Sequence, residues 1–380
     1  MTDARLQDRA LGLLRALSGH DGIHASAAET ANYRAVFARD AVMAGVAGLL
    51  VRDPVVTAGL VRTLERLREL QGAEGQIASN FEMRQGGPAQ VSFGTLAPRL
   101  DATTWYLVGV ALAARAGALD PVPFRDSIRA VTRLLDALEY NGRHLVYVPA
   151  GGNWADEYVY DGYVLYDQVL RAWGLELCGA LYGEPAWLAK SHAIGDRIAD
   201  SYRPAADAPR PHPPTSFSPL GTRTTFDLAA CALLALTGAA PALGALALDF
   251  VSDAFLLRDT LPPAFHPVIA EGDPDWPALR AYHLHGFRNR PHEYHNGGVW
   301  PIWLGWLALA LARTSRASDL ARLRSLVDAR LHALPAFAFE EYLHGVTGTP
   351  GGTPDMAYTA AGLVFLHVAD TPSALELLAP

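Results

Sequence analysis

Apolar residues recur every three to four positions through most of the chain, the period of a helix that buries one face or all of them. The pattern predicts helices over residues 6–17, 41–51, 55–70, 102–116, 124–138, 164–181, 185–202, 225–236, 241–257, 297–312, 320–334 and 357–368. Pro54 ends one helix and opens the next, a position where its missing N–H leaves nothing unpaired. Asp101 reads as the N-cap of the helix after it, and Gly117 as that helix's stop. Asn141-Gly142 is a hairpin-turn dipeptide, and His144 to Val148 after it reads as a strand.

Short and long connections alternate. Helices joined by short turns pack as antiparallel hairpins. The long connections, 71–99, 203–222, 261–296 and 337–356, collect the Gly, Pro, His and aromatic residues. Six hairpins closed in a ring make an all-α (α/α)6 barrel, a six-hairpin toroid, with the long loops on one rim and a minor β-hairpin. Loops this long in a compact domain are usually functional. No shift in composition marks a boundary, so a single domain over 1–380 is expected.

Half of the 380 residues are hydrophobic, and the formal charge is −8. The basic residues are scattered, which argues against nucleic acid as a partner. No uncharged run reaches membrane-spanning length without a Pro, Gly or polar break, and the first residues lack a signal pattern, so a soluble cytoplasmic protein is the simplest expectation. Cys178 and Cys231 lie in apolar helical runs and read as buried free thiols. The oligomeric state is left open.

The chemistry concentrates in Gly151 to Tyr163, where three carboxylates and four aromatic residues share one loop. Trp and Tyr offer a flat apolar face with a polar tip, which suits a sugar ring edged with hydroxyls. A carboxyl such as Asp156, beside Trp154 and Tyr158, is expected to lose water and hold its proton, as a general acid must. The plainer alternative is a solvated acidic loop ahead of a helix. Arg39-Asp40 joins a forked donor to an acceptor and can clamp vicinal hydroxyls, or it is an ion pair at a helix start. His283, His285, His292 and His295 have spacings that could hold a metal. No cysteine joins them, and the surrounding Tyr, Arg, Asn and Gly suit sugar hydroxyls better. Neither metal nor cofactor is expected. Of Trp300 and Trp303, the first follows two glycines and is the better candidate for a sugar contact.

Four segments, in order along the chain, resemble a known family. Tyr33-Arg34-Ala35-Val36-Phe37-Ala38-Arg39-Asp40 is similar to its VFxRD motif. Phe93 to Trp105, with Ala97-Pro98-Arg99-Leu100-Asp101, resembles APVDSGLWW with one extra residue. Tyr294-His295-Asn296-Gly297-Gly298-Val299-Trp300-Pro301 is close to YHNGGSWP. Phe339-Glu340-Glu341-Tyr342, followed by Gly345, resembles WPEYYDG. These are motifs of the alkaline/neutral invertases, inverting glycosidases on an (α/α)6 barrel. Trp154-Ala155-Asp156 is nearer the WMD of the related amylo-α-1,6-glucosidases, and Glu157 stands where the invertases carry a basic residue.

The resemblance implies Asp156 as general acid and Glu341 as general base, with Glu340 as the rival base. It implies a sugar pocket built from Tyr33, Phe37, Arg39, Asp40, Asp101, Trp105, Trp154, Tyr163, Gln168, His295, Asn296, Gly298, Trp300 and Tyr342. The implied substrate is a small α-glucoside, with sucrose the leading candidate and an amylo-α-1,6-glucosidase-like substrate the alternative. Gly345, Thr347 and Gly348 near Glu341 predict polar surroundings that leave it ionised, in contrast to Asp156. Two other classes stay open. Sugar epimerases on α/α toroids use His residues as acid and base, and a toroid can bind sugar without catalysis. An Asp156–Glu341 pair facing one pocket separates the hydrolase from both.

Overall fold

The computed structural model describes residues 4–28, 33–84, 86–95, 97–139, 142–206, 208, 210–281, 286–334 and 336–379. Six helices form an inner ring: α2 (Ala38–Val51), α4 (Leu100–Arg115), α6 (Leu165–Tyr182), α8 (Leu228–Thr237), α11 (Pro301–Arg313) and α13 (Ala357–Val368). Each packs on the next, and α13 returns to α2, so the ring is closed. Six more lie outside it: α1 (Ala4–Leu17), α3 (Pro54–Glu69), α5 (Arg125–Ala137), α7 (Pro185–Ser201), α9 (Pro241–Ala254) and α12 (Ala317–His332). Two short helices, α10 (Trp276–Ala281) and α14 (Pro372–Leu377), complete the described set. This is the (α/α)6 toroid that the helical pattern predicts.

The two layers differ in sequence for a physical reason. An inner helix is covered on all sides and must be apolar all round. Every residue of α8 is buried, as is α11 from Pro301 to Leu311. An outer helix keeps one wet face. In α5 the buried set is Ser127, Ile128, Val131, Thr132 and Leu135, one stripe at helical spacing. The ring closes tightly between α11 and α13. A Cβ added to Gly305 would lie 2.5 Å from the Gly362 carbonyl oxygen, so only glycine lets these backbones approach.

The short turns run from inner to outer helices, and the long connections run from outer to inner. All six inner helices therefore point their N-termini at the end that carries the long loops. Small antiparallel sheets brace that end. Val36–Phe37, Asn80–Glu82 and Gln90–Ser92 form one sheet, and Tyr163–Val164, Ser216–Ser218 and Gly221–Arg223 another. Phe226–Asp227 pairs with Phe265–His266, and Tyr342–Leu343 with Pro350–Gly351. Three of these strands run directly into α2, α6 and α8, which fixes where each helix starts.

Three local predictions change. His144 to Val148 is not a strand; Val146 and Val148 make only single bridges, to Glu139 and Gly162. The Gln168 amide holds Val146 from both sides instead, accepting from its N–H and donating to its carbonyl, each at 2.9 Å. Asn141 of the proposed turn lies outside the described residues. Asp101 is not an N-cap, because α4 starts at Leu100 and puts Asp101 inside the first turn. The helix predicted from Gly297 starts at Pro301, since Val299 is held extended by its bridge to Leu343.

Candidate active site

A cavity of about 410 Å³ opens at the long-loop end, within the range of small-molecule sites. Its wall comes from the first turns of four inner helices: Arg39, Asp40 and Met43 from α2, Asp101 and Ala102 from α4, Ile302 and Trp303 from α11, and Tyr358 from α13. The long loops add Tyr33, Arg99, Trp154, Asp156, Glu157, Arg288, Tyr294, Trp300 and Glu341, among others. No residue of α6 or α8 lines it. Tyr158 and Tyr160 pack on Phe265, which pairs with Asp227 just before α8, and Trp154 stacks on the same ring at 5.6 Å.

Arg39 links two helices at the cavity wall. Its Nε donates to Asp40 at 2.9 Å and its Nη1 to Asp101 at 3.0 Å. Arg39-Asp40 is thus an ion pair at the start of α2, and both residues border the cavity. Both carboxylates are buried. Burial pushes the Asp40 carboxyl up against the pull of Arg39.

Asp156 and Glu341 border the same cavity. Asp156 Oδ2 accepts from Arg99 Nη2 at 2.6 Å, and its side chain keeps 29 % exposure. Glu341 is buried. Its Oε1 accepts from the Tyr33 hydroxyl at 2.7 Å and the Tyr358 hydroxyl at 3.4 Å, and its Oε2 from the Thr353 N–H at 2.9 Å. Gly352 stands against that carboxylate with a φ of +81°, and a Cβ there would collide with Oε2. Glu340, the rival base, does not line the cavity; its Oε2 accepts from the Ala338 N–H at 3.0 Å.

The electrostatics run opposite to the prediction. Burial pushes Asp156 up, but the guanidinium of Arg99, and that of Arg39, pull harder, and its pKa falls below the usual Asp value. Burial pushes Glu341 up and prevails over Thr353, Tyr33 and Arg288. Neighbours in sequence misled here. Tyr158 is buried against Phe265, whereas Arg99 arrives from a distant loop.

Tyr33, Phe37, Arg39, Asp40, Asp101, Trp154 and Trp300 of the predicted pocket line the cavity. The other seven lie elsewhere. Trp105 is buried between Trp173 and Trp306 and donates to the Tyr166 hydroxyl. Tyr163 packs on Phe217, and Gln168 serves Val146 and Val164. His295 is wedged between Trp154 and Trp300, behind the wall. The Asn296 amide bonds the backbones of Ile269 and Asn289. Gly298 passes so close to the Tyr294 carbonyl that no Cβ fits. Tyr342 stacks on Trp300 at 6.0 Å from outside the cavity.

Burial pushes the His295 imidazole down to about 3, so it stays neutral. No histidine among the described residues lines the cavity; His283 and His285 lie outside them. The described residues contain no group of three or more His, Cys, Asp or Glu side chains able to hold a metal. Both cysteines are buried and free. No described helix is long and apolar enough to cross a membrane.

Sequence reasoning missed Met43, Ser79, Glu157, Arg288, Thr353 and Tyr358 as lining residues. One signal could have found Tyr358: inner helices that run one way turn their first residues toward the loop end. Arg288 sits in a long loop with nothing to single it out.

Fold and cavity together define an (α/α)6 toroid with a ligand-sized cavity at its long-loop end. The sequence matches no family profile and no curated protein. Among solved structures, the chain is similar to a GH63 mannosylglycerate hydrolase from Thermus thermophilus in complex with glucose. The TM-score is 0.66 at 13% identity, over 95% of this chain and 99% of that one. A glycosidase in complex with glucose gives 0.64 at 16% identity, with both chains covered fully at 100%. A bacterial glucoamylase complexed with acarbose gives 0.66 at 14% identity, over 99% of this chain and 56% of that one. At these identities the likeness is one of fold.

Proposed function

We propose that the protein is an inverting glycoside hydrolase that releases one sugar from a small α-glycoside. The observation that carries this reading is that Asp156 and Glu341 border one cavity beside the Arg39–Asp40–Asp101 cluster and three indoles. Inverting enzymes hold two carboxyl groups about 6.5–9.5 Å apart, one to protonate the leaving oxygen and one to activate water. The fold of the neighbours supports the class. The absence of histidine from the described cavity lining disfavours the epimerase reading.

Glu341 is the base in this reading. Tyr33, Tyr358 and the Thr353 N–H all present donors to it, which suits an acceptor. Burial raises its proton affinity, and a base is stronger for that as long as it stays ionised at the working pH. Asp156 is the acid. A bound sugar covers its exposed face, and the lost water raises its proton affinity toward that task. Glucose would sit against Arg39, Asp40 and Asp101.

Sucrose remains one candidate. Arg99, in contact with Asp156, lies on the leaving-group side and favours an acidic aglycone, such as the D-glycerate held by a mannosylglycerate hydrolase in another complex. Sucrose, isomaltose, trehalose, maltose, glucosyl-glycerate and mannosyl-glycerate should be screened for release of the free sugar. Asp156→Asn and Glu341→Gln should each lower kcat by at least about a hundredfold. A glycosyl fluoride needs little protonation and should partly rescue Asp156→Asn alone. Rescue of Glu341→Gln alone would exchange the two roles. Proton NMR of the first product should show the β-anomer from an α-glycoside; an α-product would end the inverting reading.

A further inference from the structure

Arg288 lies between α10 and α11, and its guanidinium stands in the cavity wall with Asp156 and Glu341, bonded to the neighbour of one of them. Its Nη2 donates to Glu157 Oε1 at 2.7 Å and its Nε to Glu157 Oε2 at 3.3 Å. Glu157 is the residue directly after Asp156. The adjacent Asn289 Nδ2 donates to the Glu157 carbonyl at 2.8 Å, so side chain and backbone are both held. Arg288 Cζ also sits 4.1 Å from the centre of the Tyr294 ring. In the same cavity wall its charge also acts on the Tyr33 hydroxyl, which donates to Glu341 at 2.7 Å.

We infer that Arg288 is a positioning residue, a strut that sets the separation of Asp156 and Glu341. This rests on reading those two carboxyls as the catalytic pair. They come from loops far apart in sequence, and this guanidinium holds the residue after Asp156 while its charge acts on Tyr33, the donor to Glu341. A planar fork bonded bidentately to a buried carboxylate, with an aromatic face beneath it, has little freedom to shift. The Arg288–Glu157 pair also accounts for a departure in sequence. Glu157 stands where the resembling invertases carry a basic residue, and here the positive charge comes from the facing loop.

The separation matters because an inverting site must admit one water between sugar and base. Reactive groups have to be held to within about 0.5 Å, and a misplacement near 1 Å can lower a rate about a hundredfold. Arg288 is thus expected to act on kcat rather than on binding.

The test uses the full chain as wild type, Arg288→Gln, Arg288→Lys and Glu157→Gln. Glu157→Gln breaks the same fork from the other side, so one badly folding variant does not decide the outcome. Crystal structures should show the Asp156–Glu341 separation altered by more than about 0.5 Å in Arg288→Gln and Glu157→Gln. Their kcat should fall about a hundredfold with KM within about threefold, and Arg288→Lys should lose less. Arg288 also favours the ionised form of Glu341, so in Arg288→Gln the acid limb of kcat/KM should move to higher pH. An unchanged separation overturns the inference, whatever the activity. Lost activity that only tracks lost folded protein, with the acid limb unmoved, overturns it too. If wild type cleaves no glycoside but the separation still changes, the strut stands and the glycosidase reading falls.

Discussion

Asp227 is buried, and one of its oxygens caps α8 by accepting from the Ala230 N–H at 3.1 Å. Burial raises its carboxyl to about 7, against the pull of the Ala230 and Ala229 N–H groups. The folded chain thus holds this proton more tightly than the unfolded chain. Stability is therefore lost as pH rises from the unfolded value near 4 through 7, by at most on the order of 4 kcal/mol. Asp227→Asn keeps a capping oxygen and carries no charge. Its melting temperature relative to wild type should be higher at pH 8 than at pH 5; a difference independent of pH would contradict a titrating Asp227. At Gly352 an added Cβ meets both a positive φ and the Glu341 carboxylate. Gly352→Ala should cost about 1–3 kcal/mol and lower kcat at least about tenfold by displacing Glu341, the proposed base. Denaturant melts and steady-state kinetics measure the two effects separately.

At the scale of elements, the inner helices share one direction, and their first turns carry chemistry at that end. α2, α4, α11 and α13 present side chains to the cavity, while α6 and α8 present none, and Phe265, packed by Tyr158 and Tyr160, pairs with Asp227 just before α8. Asp167, in the first turn of α6, accepts from Asn153 at 2.9 Å, and its burial raises its proton affinity. The ring itself depends on close backbone approach. In Gly362→Ala the new methyl would strike the Pro301 carbonyl and the Ile302 Cα, both backbone atoms of α11. Overpacking of this kind costs about 1–3 kcal/mol. A lowered melting temperature is expected, and an unchanged one would mean the two helices can part without loss.

At the scale of the molecule, the cavity joins four inner helices to loops from most of the chain, so a ligand there binds only the closed ring. Glucose at about a hundred times its dissociation constant should stabilise the fold by roughly 2.7 kcal/mol. Asp101→Asn disturbs the pair with Arg39 and should weaken that shift, as read by melting temperature against glucose concentration. A shift of equal size in both proteins would place glucose elsewhere.

Much of the toroid was legible in the sequence, because local physics decides a helix. Periodicity, Pro54 at the start of α3 and the fully apolar α8 each report on their own neighbourhood. The placement of Glu341 beside Tyr33, and of Arg288 between Glu157 and Tyr33, depends on loops brought together only when the ring closes. The same holds for proton affinity. Asp156 next to Trp154 in sequence suggested an acid kept from water, and Arg99 reverses its shift from 57 positions away. The sequence alone determined which segments are helices and which loops hold the carboxylates and indoles. Tertiary structure decided which of those side chains face the cavity, and which charges stand beside each carboxyl, since Coulomb forces depend on distance in space.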